Sequence, residues 1–184
     1  MQGLFNLQIT QKTRIMEHLK FPVGRFSMPS AFSASELRDN MSILRSMPDE
    51  LEALVGSMDP KQLKNAYRPE GWTARQVIHH ICDSHTHALI RFKWSLSEDE
   101  PIIKPYREGD YARLYDYAMP VEPSLVMIRA VHEKLLYLME HMTEEEWGRG
   151  FHHPESKRHF RLYEVAALYA WHCRHHLAHI KLCL

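Results

Sequence analysis

Trp171-His172-Cys173-Arg174-His175-His176-Leu177-Ala178-His179 decides how this chain is read. The segment lies late in a long run of helical periodicity and sets His172 and His176 four residues apart. In an α-helix, positions i and i+4 stand one above the other on the same face. Two imidazoles placed that way can converge on one ion. The core-facing stripe of this helix, expected from near Arg161 to the C-terminus, runs through Leu162, Val165, Ala166, Tyr169, Cys173, His176 and Ile180. His176 falls in the stripe and His172 on its edge, so both point partly inward, where a bundle core places metal ligands.

Working outward, a second histidine-rich helix is expected over about 73–97. Thr73 is its cap and Gln76, three residues on, the reciprocal partner. Its apolar stripe is Val77, Ile81, Ala88, Leu89, Phe92 and Leu96. His85 falls near the middle of that stripe, His80 on one flank beside Val77 and Ser84, and His79 beyond the other. Periodicity alone does not choose among them. One ligand from this helix plus the later pair makes a three-histidine site with an open coordination position, which suits catalysis better than scaffolding.

Two more long helices complete the pattern. One runs from Ser33 or Ser35 to Met58, with Glu36 in capping-box register to Ser33 and Pro48 as a kink or break. The other spans about Pro123 to Met142, with Leu125, Ile128, Val131, Leu135, Leu138 and Met139 inward. Between the long helices, 98–110 reads as a loop and Arg113–Tyr117 as a short helix. Thr143–Trp147 reads as a capped turn, and 148–160 as an extended hairpin turning at His153–Lys157. Residues 1–24 form a lead-in, with helical character over Gln8–Leu19, and 25–184 form the folded unit. Four long amphipathic helices with little strand pattern predict an all-α four-helix bundle. No strand–glycine loop–helix motif supports a nucleotide phosphate site.

Composition narrows the partners. A chain of 184 residues with 45% hydrophobic content suits a single core. Formal net charge is +0, so no electrostatic grip on nucleic acid or anionic lipid is expected. No membrane span is expected, and Glu17-His18 after Ile15-Met16 interrupts any secretory apolar region. The cysteines, Cys82, Cys173 and Cys183, form no CxxC pair and are odd in number, which predicts buried thiols in a reducing, cytoplasmic setting.

Several segments together resemble a known family. Gly71-Trp72-Thr73-Ala74-Arg75-Gln76-Val77-Ile78-His79-His80-Ile81-Cys82-Asp83-Ser84-His85 is similar to the start of the second helix in DinB-like proteins of the YfiT-like branch, which includes bacillithiol transferases. Ile90–Lys93, Pro105-Tyr106, Arg149–Pro154 and Trp171–Ile180 carry the same likeness, which spans about Phe21 to Lys181. A lone HxxxH is weak; this combination in this order is specific. The resemblance implies a four-helix bundle holding one metal through three histidines, here His80, His172 and His176. His79, His175 and His179 then fall outside the ligand set. It further implies a homodimer and a metal-dependent hydrolase. Cys82 replaces a usual alanine, and Arg174 stands among the histidines.

The chemistry expected of such a site follows from its donors. Neutral imidazole suits zinc, nickel, copper or iron, and zinc or nickel is the expected ion. Three histidines without a carboxylate leave a position for water, which on zinc titrates near neutral pH, giving hydrolysis of a small-molecule substrate. The alternative is a thiol S-transferase in which the ion stabilises a low-molecular-weight thiolate. A third class is a non-catalytic metal-binding or interaction bundle. Asp83, three residues after His80, is a candidate to orient an imidazole or accept a proton, or else an exposed helix acid. Glu133 and His132 are candidates to reach the core from the third long helix. Arg91, Arg149, Arg158 and Arg174 are candidates for a substrate carboxylate, and Trp171 for the pocket wall.

Overall fold

Hydroxyl side chains start two of the four long helices. Ser33 Oγ accepts from the Glu36 amide to open α1, Ala34–Gly56. Thr73 and Gln76 exchange side-chain and main-chain hydrogen bonds to open α2, Ala74–Ser97. After the single turn α3, Glu108–Tyr111, comes α4, Glu122–Glu140, with Pro123 in its first turn, where a missing N–H costs nothing. Another short turn, α5, Glu144–Trp147, precedes the hairpin of β1, Gly150–His153, and β2, Arg158–Arg161. The chain closes with α6, Leu162–Lys181. This computed structural model describes residues 16–184.

The long helices pack as a square: α1 against α6 and α4, and α2 against α4 and α6. Leu44, Met47 and Leu51 of α1, Ile78, Ile81 and Phe92 of α2, Ile128 and Leu135 of α4, and Leu162 and Ile180 of α6 are buried to 1% exposure or less. Each such side chain stabilises the fold by roughly 1.5–3 kcal/mol. The adjacency of α2 and α6 matters most here, because it sets the two histidine-rich helices face to face. The expected all-α four-helix bundle and the hairpin before the last helix are both present.

Pro48 does not break α1; the helix runs through it with the ring buried. A proline at this point has no N–H for the carbonyl four residues earlier. That carbonyl belongs to Leu44, and His132 of α4 supplies the missing donor through Nδ1 at 2.7 Å. The segment expected as a helix at Arg113–Tyr117 is instead a 3-10 turn, Tyr115–Ala118. Pro120 pushes Met119 into an extended conformation (ψ 167°), so helix cannot continue there. The loop before it gains α3 and pairs Ile103 N–H with His152 O, which ties it to β1.

The hairpin register pairs Gly150 with Arg161 and His152 with His159. A Cβ at Gly150 would sit 1.9 Å from the Phe160 carbonyl oxygen, so only glycine fits. At the other end of the described chain, residues 16–20 are helical. The helical character expected from Gln8 onward lies, up to residue 15, outside the described residues. Trp171 Nε1 donates to the Gly24 carbonyl, which holds this stretch against α6. Among the described residues no helix is long and apolar enough to cross a membrane.

Candidate metal centre

His80 comes from the second turn of α2, and His172 and His176 come from consecutive turns of α6. One ring nitrogen from each lies within 4.8 Å of the others. His80 Nε2 and His172 Nε2 approach to 3.2 Å. Ring centroids are 4.3 Å apart for His172 and His176, and 4.8 Å apart for His80 and His176. The structure thus brings together the three histidines that the resemblance singles out. Trp72, at the start of α2, lies against the His80 ring with centroids 4.7 Å apart.

Burial sets the charge of these rings. Desolvation pushes His80 down to about 4, with a further push from His179. Desolvation also holds His172 and His176 well below the ordinary imidazole range, and neighbouring histidines add to the effect. All three are therefore neutral near pH 7, and each neutral ring carries one nitrogen lone pair. His80 Nδ1 is buried without a hydrogen-bond partner. Three neutral, converging imidazoles with no carboxylate among them fit a divalent transition metal such as zinc or nickel. A fit to magnesium or calcium, which demand oxygen, is excluded by the same donor set.

Two cavities meet at this cluster. One, of about 510 Å³, is lined by Lys20, Tyr67, Arg68, Trp72 and Trp171 together with the histidines. The other, of about 350 Å³, is lined by Ser84, Arg91, Tyr106, Phe151 and Tyr169. His172 and Glu108 border both. The cluster is therefore reachable from outside, and each cavity mixes charges: Lys20 and Arg68 with Glu70 and Glu108 in the first, Arg91 with Glu108 and Glu155 in the second.

The remaining candidates fall elsewhere. Asp83 is half-buried and accepts a hydrogen bond from Tyr117 Oη at 2.7 Å, on the side of α2 that faces the 3-10 turn. Burial raises its carboxyl pKa while the Tyr117 bond opposes that. It lines neither cavity. Glu133 is exposed, beside Lys93, Lys134 and Tyr137, and does not reach the core. Its neighbour His132 does reach it, being 1% exposed. Arg149 is taken up by the Ser95 and Glu98 carbonyls, and Arg158 by Glu164. Arg174 is exposed, while Arg91 and Trp171 line the cavities. His175 stacks on Trp171, and His87 on Tyr106. Sequence reasoning missed Glu108, Tyr67 and Arg68, which come from turns with no periodicity to mark them.

Comparison with known proteins gives the family and the fold. Residues 43–180 match the family model described as the DinB superfamily. The chain is 37% identical to a Geobacillus thermodenitrificans protein named "Putative metal-dependent hydrolase", over 90% of this chain and 93% of that one. A protein of the same description from Halalkalibacterium halodurans is also 37% identical, over 88% and 94% of the two chains. Among solved structures, YfiT from Bacillus subtilis, described as a probable metal-dependent hydrolase with an unusual four-helix bundle topology, superposes with a TM-score of 0.87. It is 35% identical, covering 90% of this chain and 95% of that one. A mycothiol-dependent maleylpyruvate isomerase shares the fold at a TM-score of 0.64 and 14% identity, over 78% and 60% of the chains.

Proposed function

This chain belongs to the DinB superfamily, and from that premise we propose that it is a metal-dependent enzyme that hydrolyses a small molecule at His80, His172 and His176. The convergence of three neutral ring nitrogens within 4.8 Å, at the junction of two cavities, carries this reading. A zinc or nickel ion held there supplies Lewis acidity, polarising a carbonyl or acidifying water. The chain's own residues do the rest. Trp72 and Trp171 shield the rings from bulk water, and Arg68 or Arg91 holds an anionic group of the substrate beside the ion. Small esters and amides, tested on zinc- or nickel-loaded protein beside His172→Ala, give the direct assay. Turnover without added thiol, lost in the variant, is the expected result; no turnover of any such compound counts against hydrolysis.

A second reading is thiol S-transfer, drawn from the mycothiol dependence in the name of the isomerase that shares the fold. The three cysteines of this chain are buried, and burial raises Cys82 to about 11 and also raises Cys173 and Cys183, so they offer no ready thiolate. Thiol chemistry here would need an external low-molecular-weight thiol. Thiol-dependent consumption of a haloaromatic electrophile distinguishes it from hydrolysis. We further assign the protein to the cytoplasm, on its free cysteines, and to a homodimer, as its family resemblance implies. Residues 25–184 are taken as the metal-binding bundle and residues 1–24 as its lead-in. Net charge of zero favours a small-molecule partner over nucleic acid.

A further inference from the structure

We infer that two chains of hydrogen-bonded histidines, each ending on main-chain carbonyl oxygen, fix His172 and His176 in the tautomer that leaves Nε2 free to bind metal. His132, His85 and His179 are then positioning residues. This rests on the three-histidine metal reading above, and it concerns residues that touch neither ion nor substrate.

The longer chain starts at the Leu44 carbonyl, which Pro48 leaves without its helical donor. A carbonyl oxygen only accepts, so His132 Nδ1, at 2.7 Å, must carry a hydrogen. His132 is 1% exposed and His85 0% exposed, with no carboxylate among their hydrogen-bond partners, so both rings are neutral. A neutral ring holds one hydrogen, and His132 Nε2 is therefore an acceptor. It lies 2.8 Å from His85 Nδ1, which must donate. His85 Nε2 is then an acceptor in turn, 3.1 Å from His172 Nδ1. His172 consequently carries its hydrogen on Nδ1 and its lone pair on Nε2. Each ring dictates the next, and no step offers a choice.

The shorter chain reaches the same outcome from another part of the fold. His179 Nε2 lies 3.2 Å from the Leu19 carbonyl and 3.3 Å from that of Lys20, so it donates. Its Nδ1 accepts from His176 Nδ1 at 3.3 Å. His176 is thereby set with its lone pair on Nε2 as well. His80 completes the pattern by contrast. Two groups face His172 Nε2, His80 Nε2 at 3.2 Å and the Ser84 hydroxyl at 3.5 Å, and His80 Nδ1 is a buried atom without a partner. Two ligands are thus preset, while His80 is held by no such chain among the described residues.

Partners that orient a ligating imidazole commonly change metal affinity by roughly 10–100-fold. Two measurements test the inference. Nitrogen-15 imidazole NMR on the metal-free protein should find His172 and His176 with hydrogen on Nδ1; hydrogen on Nε2 of either ring overturns the proposal. Zinc titration against a competing chelator should show affinity falling roughly 10–100-fold in His85→Leu and in His179→Leu. His85→Gln, which keeps an acceptor for His172, should stay close to wild type. Wild-type affinity in a folded His85→Leu protein overturns the proposal while leaving the metal reading intact. A wild-type protein that binds no zinc overturns the metal reading, and the NMR result still decides the tautomers.

Discussion

His80 and His172 meet through their Nε2 atoms at 3.2 Å although 92 positions separate them in the chain. Two neutral rings at that distance can share one hydrogen bond, and an ion held between the helices would take both nitrogens as ligands. The contact exists because α2 and α6 are neighbours in the square bundle. It makes several expectations about the whole protein measurable.

Acid should unfold the metal-free protein through its histidines. Unfolded, these rings titrate near 6.5; in the fold, burial lowers His80 to about 4 and holds His172, His176 and His85 well below the ordinary imidazole range. Between those values the unfolded chain binds protons that the folded chain refuses. Stability is therefore fully present above about pH 6.5 and declines as pH falls toward 4, by up to about 1.4 kcal/mol per pH unit for each such ring. Thermal melts on chelated protein should be flat above pH 7 and fall steeply below 6. A Tm independent of pH from 7 to 4.5 would contradict the buried, neutral cluster.

The hairpin should fail at one position. Gly150→Ala places a methyl against the Phe160 carbonyl oxygen, and overpacking of this kind costs about 1–3 kcal/mol or more. Gly56→Ala, with nothing within 4 Å of the added carbon, serves as the control. A lower Tm for the first and not the second is expected by calorimetry.

Much of this was legible in the sequence. Helix periodicity, the Thr73 cap and the spacing of His172 and His176 are local signals, and each is found where the residues place it. The choice of His80 over His79 and His85 was not local. It came from resemblance; in the structure His79 turns to Ser124, while His80 and His85 both reach His172. The Leu44–His132 bond was out of reach for a different reason. Pro48 announces that a carbonyl four residues earlier lacks a donor, but only the packing of α4 on α1 says which residue supplies one. Glu133 was misplaced by the same limit: it is next to His132, yet one residue turns a side chain about 100° around a helix, here into solvent.

Asp83 and Glu133 should prove dispensable for metal. Asp83→Asn and Tyr117→Phe should each lower stability by about 1–3 kcal/mol by disturbing a half-buried hydrogen bond, with metal content unchanged. Glu133→Gln should change neither. Metal loss in Asp83→Asn would show that its carboxylate serves the cluster after all.

The thiols should be silent in the native protein. All three cysteines are buried and their pKa values raised, so a disulfide reagent at pH 8 should react with none over minutes and with all three after denaturation in guanidinium. Fast reaction of one native thiol would contradict the packing around it.

The most direct test of the metal centre is elemental analysis of untagged wild-type protein beside His172→Ala and His176→Ala, each checked for folding. About one equivalent of zinc or nickel in the wild type, absent from both variants, is the predicted result for a single three-histidine site. No transition metal in the wild type, even after reconstitution with either ion, would contradict it.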